Sequence, residues 1–294
     1  MTRNADRSEW KQIARSIGIL LAVIIVGFTG TYLFVSKILA SPSVSVPPAK
    51  TQKSALTTET AAAPEPAPAP EPVAPPEPQG PLAGKVIVLD PGHSGAGVID
   101  SSLEPIGPGA TEKKEKDVSG TRGINSKTAE SEINLTIGQQ LKTALEAKGA
   151  TVYMTRTSEE VDVSNSQRAA VANDNHADLF LRLHCDGNAS SSASGISMQV
   201  PGENSWTAPI VNSSQSAGET ILAAVIAATG AQDRGVQPRA DLAGFNYSKV
   251  PSILIEMGFM TNPDEDAKLN DSAYQQKLVE GLTQGCINWM SQQQ

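Results

Sequence analysis

From Gly84 onward, short apolar runs alternate with longer amphipathic stretches, and this pattern restricts the possible folds more than any other feature. The apolar runs predict buried strands at 85–89, 151–155, 179–184 and 252–256. The amphipathic stretches predict helices at 131–148, 165–175, 215–229 and 272–290. Such alternation predicts a single α/β domain with a twisted, largely parallel or mixed central sheet that is flanked by helices.

The first residues of the chain show a different pattern. Residues 1–15 are polar and include four basic residues, whereas Ser16–Ser36 contains no charge and is mostly apolar. About 20 apolar residues cross a bilayer as a helix, and basic residues before the span favour a cytoplasmic N-terminus. We therefore expect a cytoplasmic tail at 1–15 and a transmembrane anchor at 16–38, with an extracytoplasmic domain on the cell membrane. A signal peptide cleaved near Ala40, followed by secretion, is the alternative.

The segment 39–83 is rich in Pro and Ala and predicts a disordered linker without a core. In polyproline geometry, at about 3.1 Å per residue, some 40 residues reach on the order of 130 Å. Such a linker would hold the domain 84–294 away from the membrane. The net charge of −8 and the aromatic content of 4% argue against a nucleic-acid partner.

Three chemically reactive side chains follow or end predicted strands. His93 follows the first strand across a short turn, His184 ends the third strand, and Glu256 ends the fourth. Ligands of open α/β sheets collect beyond the carboxyl ends of the strands, so these residues can converge there. The remaining histidine, His176, lies in a polar stretch and is expected at a helix C-terminus. Each residue alone fits a structural role, but three together indicate a site.

Glu130 adds a carboxylate to this set. It precedes the predicted helix and shares a face with Ile133 and Ile137. A buried carboxylate is costly unless it is paired or binds a cation, although an acid at a helix start is also favoured by the helix dipole. Two imidazoles and one carboxylate with an open fourth position are typical of catalytic zinc. A second carboxylate fits a general base that acts on water.

Four blocks of the sequence resemble N-acetylmuramoyl-L-alanine amidase family 3. These blocks are VLDPGHSG, AESEINL, ADLFLRLHCDG and VPSILIEMGFMTN, and the resemblance extends over residues 84–290. The resemblance implies a zinc-dependent peptidoglycan amidase, which hydrolyses the amide between the lactyl group of N-acetylmuramic acid and L-alanine of the stem peptide. It implies that His93, Glu130 and His184 bind Zn²⁺ and that Glu256 is the catalytic acid and base.

One residue departs from the family pattern, and the roles of another residue and of one segment stay open. Cys185 follows His184 where the family usually has Ala, and strand alternation predicts that its side chain packs in the core. Arg239 precedes the last strand and could bind a stem-peptide carboxylate or form a structural salt bridge. The Gly-rich, charged segment 94–129 predicts a mobile polar excursion and not a packed helix, which could be a lid, a substrate-binding arm or a flexible insertion. We hypothesise that it borders the cleft and controls access by long glycan strands.

The sequence leaves alternatives open for the function as a whole. A zinc peptidase that cuts within the stem peptide would use the same metal ligands. A degenerate amidase that only binds the cell wall is the non-enzymatic alternative. Peptidoglycan and the membrane are the expected partners, and an unidentified regulator is possible.

Overall fold

The computed structural model describes residues 79–293. The predicted tail (1–15), the predicted anchor (16–38) and most of the predicted linker lie outside the described residues. Among the helices of 79–293, none combines the length and hydropathy of a membrane span. Leu82 was assigned to the linker, but it is fully buried in the core, and its N–H donates to the carbonyl of Lys148 at 3.0 Å. The packed part of the chain therefore starts before residue 84.

A six-stranded mixed sheet forms the centre of the domain. Residues 79–293 contain eight strands, of which β2 and β3 pair with each other in a separate hairpin. They are β1 (Val86–Pro91), β2 (Leu103–Pro105), β3 (Lys113–Glu115), β4 (Thr151–Met154), β5 (Leu179–Asp186), β6 (Ile196–Pro201), β7 (Asp233–Arg239) and β8 (Ser252–Phe259). The order in the central sheet is β4-β1-β5-β8-β6-β7, and only the pair β6–β8 is antiparallel. The prediction of an α/β domain with a largely parallel sheet is confirmed.

Helices cover both faces of this sheet. They are α1 (Glu130–Glu146), α2 (Asn165–Asp174), α3 (Val211–Thr229), α4 (Ala243–Asn246), α5 (Pro263–Leu269) and α6 (Ser272–Ser291). Alternate residues of β1 point into two separate cores. Ile87 joins the larger core, which α1, α3 and α6 cover, whereas Val88 packs with Phe180 and the small residues of α2. Burial on both faces explains why the first halves of the central strands are mostly continuous apolar runs rather than alternating patterns.

The register of the parallel strands places their carboxyl ends at one edge of the sheet. Pro91 of β1 lies beside Leu183 of β5, and His184 of β5 lies beside Glu256 of β8. The turn after β1, the end of β5 and the end of β8 therefore surround the same space. The strands β6 and β7, which complete the sheet on the far side of β8, were not predicted.

The segment 94–129 contains a two-stranded hairpin and turns but no helix, as predicted, and parts of it pack against the rest of the domain. Its hairpin β2–β3 carries Glu104, which is buried and accepts hydrogen bonds from the first backbone amides of α2. The indole of Trp206 donates to the carbonyl of Pro108 at 3.0 Å, and Lys114 pairs with Asp241 at 3.0 Å. These contacts attach the tip and both strands of the hairpin to the rest of the domain.

Candidate active site

Three side chains from separate elements converge beyond the sheet. His93 lies in the turn after β1, Glu130 is the first residue of α1, and His184 lies near the end of β5. Glu130 Oε1 lies 3.0 Å from His93 Nε2 and 3.1 Å from His184 Nδ1, and the two ring nitrogens are 3.2 Å apart. Ligands at about 2.0–2.1 Å from a tetrahedral zinc ion lie about 3.3 Å from one another. The three atoms thus have the spacing of three zinc ligands.

His93 is fixed by its backbone and by its second ring nitrogen. Its φ angle of 59° lies in the left-handed region, which is uncommon for a residue other than glycine. Nδ1 donates to the carbonyl of Val118 at 2.7 Å, so in the neutral ring Nε2 carries the lone pair, on the side that faces Glu130. A hydrogen bond of this kind selects the tautomer of a metal-binding histidine.

Glu130 is buried, and backbone donors hold both of its oxygens. Oε1 accepts from the N–H of Cys185 at 3.0 Å, and Oε2 accepts from the N–H of Thr121 at 2.8 Å. Burial raises the pKa of Glu130, but hydrogen bonds and charge from His184 and His93 outweigh it, and the pKa falls well below its usual range. Glu130 therefore supplies an anionic oxygen, as a cation site requires.

The two histidines differ in their proton affinity. Burial lowers the pKa of His93, but the carboxylates of Asp117 and Glu130 reverse this effect and raise the pKa to about 10. Burial lowers the pKa of His184 to about 4, although Glu130 opposes the shift. Because a metal binds only neutral imidazole, a proton on His93 competes with a cation.

Buried arginines hold the turn that carries His93. Arg168 donates to Asp90 Oδ1 at 2.7 Å and to the carbonyl of His93 at 3.0 Å. Arg156 donates to the carbonyls of Pro91 and Gly92, and Arg182 pairs with Asp90 Oδ2 at 2.7 Å. Burial opposes ionisation of Asp90, but Arg168 and Arg182 together hold its pKa far below the usual range.

This network of buried charges was not predicted from the sequence. Asp90 directly follows the apolar run 85–89 and lies within β1, where a buried carboxylate without a partner is unfavourable. That position was the signal in the sequence that could have identified Asp90. Asp117 is buried next to His93 and Arg168, but it lies in a charged run that was interpreted as a polar excursion. No local pattern distinguishes Asp117 from the exposed charges of the same run.

Glu256 lies beside the three converging residues on the neighbouring strand. Burial raises its pKa to about 8, and the nearby charge of Glu130 adds to this shift. Oε1 accepts from Gln199 Nε2 at 3.2 Å, whereas Oε2 is buried without a hydrogen-bond partner among residues 79–293. A carboxyl group that titrates near neutral pH suits proton transfer.

Three further residues singled out from the sequence are Cys185, His176 and Arg239. Cys185 is buried in the larger core, as predicted, and His176 directly follows the C-cap residue of α2, also as predicted. Arg239 forms a bidentate salt bridge with Asp241 through distances of 2.8 and 2.9 Å. The salt bridge is one of the two roles expected for Arg239, and a contact with substrate stays a prediction.

The donor set and its surroundings fit a zinc ion. Two imidazole nitrogens and one carboxylate oxygen are the ligands of many catalytic zinc sites. His184 Nε2 and Glu256 Oε2 are both buried without hydrogen-bond partners in the described part of the chain. Buried polar atoms are costly unless they are paired, so the site is suited to a further polar partner such as substrate or water.

Comparison with known proteins identifies the family. The profile of the N-acetylmuramoyl-L-alanine amidase family matches residues 87–288, which is more than half of the chain. The chain belongs to this amidase family. The matched region includes every residue of the candidate site.

Three individual amidases are similar to this chain in sequence or structure. The amidase LytC of Bacillus subtilis is 32% identical over 209 residues, which cover 71% of this chain but only 36% of LytC. The amidase Rv3717 of Mycobacterium tuberculosis is 32% identical over 227 residues, which cover 72% of this chain and 89% of Rv3717. The crystal structure of the amidase Ami1 from Mycobacterium smegmatis aligns with a TM-score of 0.64 at 25% identity, over 72% of this chain and 99% of Ami1.

Proposed function

We propose that this protein is a zinc-dependent N-acetylmuramoyl-L-alanine amidase that acts on peptidoglycan. The reaction is hydrolysis of the amide between the lactyl group of N-acetylmuramic acid and L-alanine of the stem peptide. The convergence of His93 Nε2, Glu130 Oε1 and His184 Nδ1 is the observation that carries the proposal. Membership of the amidase family supports the choice of this amide.

His93, Glu130 and His184 would hold the zinc ion. When bound, zinc supplies a Lewis acid that polarises the amide carbonyl and acidifies water. The backbone amides of Thr121 and Cys185 keep the Glu130 carboxylate oriented, so the ligand set is organised before the substrate arrives.

Glu256 would move the proton. Its Oε2 takes a proton from the attacking water and returns it to the departing amine of L-alanine. Burial supports this role, because it raises the pKa of Glu256 to about 8 and allows the group to gain and lose a proton near neutral pH. General acid and base groups contribute about 10²–10⁴-fold to the rate.

The test compares a metal ligand with the proton-transfer group. His93→Ala should lose both zinc and activity, whereas Glu256→Gln should keep zinc and lose about 10²–10⁴-fold in kcat. Zinc per chain is measured by elemental analysis, and turnover is measured on purified peptidoglycan. Near-normal turnover of Glu256→Gln would overturn the role of Glu256.

The mass of the product distinguishes the reactions. An amidase releases the whole stem peptide with L-alanine at its N-terminus, whereas a zinc peptidase releases shorter fragments. Zinc binding without any product from an otherwise intact protein would support a module that only binds the wall.

The pattern of a membrane anchor, a linker and an extracytoplasmic domain is part of the same proposal, because it would place the domain near the wall.

A further inference from the structure

A chain of three side chains leads from Glu256 across the neighbouring strands. Gln199 Nε2 donates to Glu256 Oε1 at 3.2 Å, and Arg239 Nη1 donates to Gln199 Oε1 at 3.3 Å. Gln199 lies on β6, opposite Leu254, and is therefore a diagonal neighbour of Glu256 on the same face of the sheet. Arg239 on β7 is likewise a diagonal neighbour of Gln199, because it lies opposite Pro201.

Arg239 determines the orientation of the Gln199 amide. A guanidinium group only donates hydrogen bonds, so the amide atom that faces Arg239 must be the oxygen. The amide nitrogen must then face Glu256 and donate to it. Gln199 is 9% exposed, so water competes little for either contact.

Arg239 is itself held in place from the other side. Asp241 accepts two of its donors, at 2.8 and 2.9 Å, and also accepts from Lys114 Nζ on β3 at 3.0 Å. The third nitrogen of the guanidinium group, Nη1, is the one that contacts Gln199. The side chain of Arg239 therefore has a defined geometry, although it is partly exposed.

We propose that Gln199 is a positioning residue for Glu256 and that Arg239 acts through Gln199. The proposal rests on the proposed function, in which Glu256 moves the proton. The amide of Gln199 occupies Oε1, so proton exchange takes place at Oε2, the oxygen without a partner among the described residues. Among residues 79–293, the side chain of Gln199 forms hydrogen bonds with Glu256 and Arg239 and with none of the proposed zinc ligands, so its effect is on the orientation of one carboxyl group.

The first test removes the hydrogen bonds of Gln199 but keeps its length. In the zinc-loaded full chain, Gln199→Met should lower kcat on a soluble muropeptide by between about 10-fold and 100-fold. KM should change less than about threefold, and zinc per chain and Tm should stay near the values of the unmodified protein. An unchanged kcat, with these controls satisfied, would overturn the proposal.

The second test distinguishes the two roles of Arg239. If Arg239 acts through Gln199, then Arg239→Met should lower kcat, and the double variant Gln199→Met/Arg239→Met should be no slower than Gln199→Met alone. If the losses in kcat add in the double variant and KM rises for Arg239→Met, Arg239 binds substrate directly. That result would overturn the proposal that Arg239 acts through Gln199. Gln237→Met is the matched control, because Gln237 lies beside Gln199 on β7 but is exposed, and kcat should not change.

The turnover of the Glu256→Gln variant tests the proposed function separately from the positioning role of Gln199. A Glu256→Gln variant with near-normal turnover would overturn the proposed function itself. An inactive Glu256→Gln variant beside a fully active Gln199→Met variant would overturn only the positioning role.

Discussion

At the residue scale, Gly120 lies in direct contact with the candidate zinc ligands. A Cβ atom at this position would lie 2.5 Å from Glu130 Oε2 and 2.7 Å from the ring of His93, and its φ angle is +70°. Gly120→Ala should therefore displace both ligands and weaken zinc binding by about 10–100-fold, the range for changes around metal ligands. Zinc affinity is measured by competition with a chelating dye.

Gly109 provides the control for backbone strain. Its φ angle of +75° matches that of Gly120, but a Cβ atom there meets nothing within 4 Å. Gly109→Ala should cost about 1–2 kcal/mol of stability through its left-handed backbone and should leave zinc affinity unchanged. Equal loss of zinc binding in both variants would show that strain, not contact with the ligands, is the cause.

The pKa of Glu256 predicts how stability depends on pH. Burial raises this pKa from 4.5 to about 8, so the folded protein keeps a proton that the unfolded chain releases between these values. The free energy of unfolding should therefore fall as the pH rises from 4.5 to 8, by at most about 1.4 kcal/mol per unit, and level off above 8. Glu256→Gln should lack this contribution.

The comparison is made by urea unfolding of both proteins in EDTA at several pH values. The difference in unfolding free energy between the unmodified protein and Glu256→Gln isolates this group from other titrations. A difference that stays constant from pH 5 to pH 8 would contradict the raised pKa.

At the scale of elements, two glycines allow α6 to pack closely on α3. A Cβ atom on Gly285 would lie 2.8 Å from Ile221 Cα, and one on Gly281 would lie 2.7 Å from Val225 Cα. Alanine is favoured in a helix by about 1 kcal/mol, but overpacking against backbone costs about 1–3 kcal/mol and requires the helices to separate. Gly285→Ala should therefore lower the free energy of unfolding.

Gln284→Ala is the control in the same helix. Gln284 is exposed, so its replacement should change stability by less than about 0.5 kcal/mol. Both variants are compared by urea denaturation. A Gly285→Ala variant more stable than the unmodified protein would mean that helix propensity exceeds the cost of the contact.

At the scale of the whole molecule, the arrangement of the N-terminal residues stays a prediction. The basic residues before Ser16–Ser36 favour a cytoplasmic N-terminus and an external domain. External protease added to intact, wall-stripped cells should then cut in the linker 39–83 and release a fragment of domain size. Protection of the domain until the cells are lysed would contradict this topology, and release without protease would indicate a cleaved signal peptide.

The sequence by itself determined the fold class and the residues of the candidate zinc site. Periodic burial is a local property, so short apolar runs and amphipathic stretches predicted the central strands and the main helices. Parallel strands bring their carboxyl ends to one edge, which placed His93, His184 and Glu256 together. Glu130 could be predicted because it shares the continuous apolar face of the helix that it precedes in the predicted pattern.

The tertiary structure decided which groups orient those residues. Gln199 lies 57 positions from Glu256 in the sequence and 40 from Arg239, and only the order of β8, β6 and β7 makes them neighbours. Thr121 likewise reaches Glu130 through a backbone amide, which no side-chain pattern records. Periodicity reports which face of an element is buried, whereas contacts between distant elements depend on strand order and register, which arise only when the chain packs.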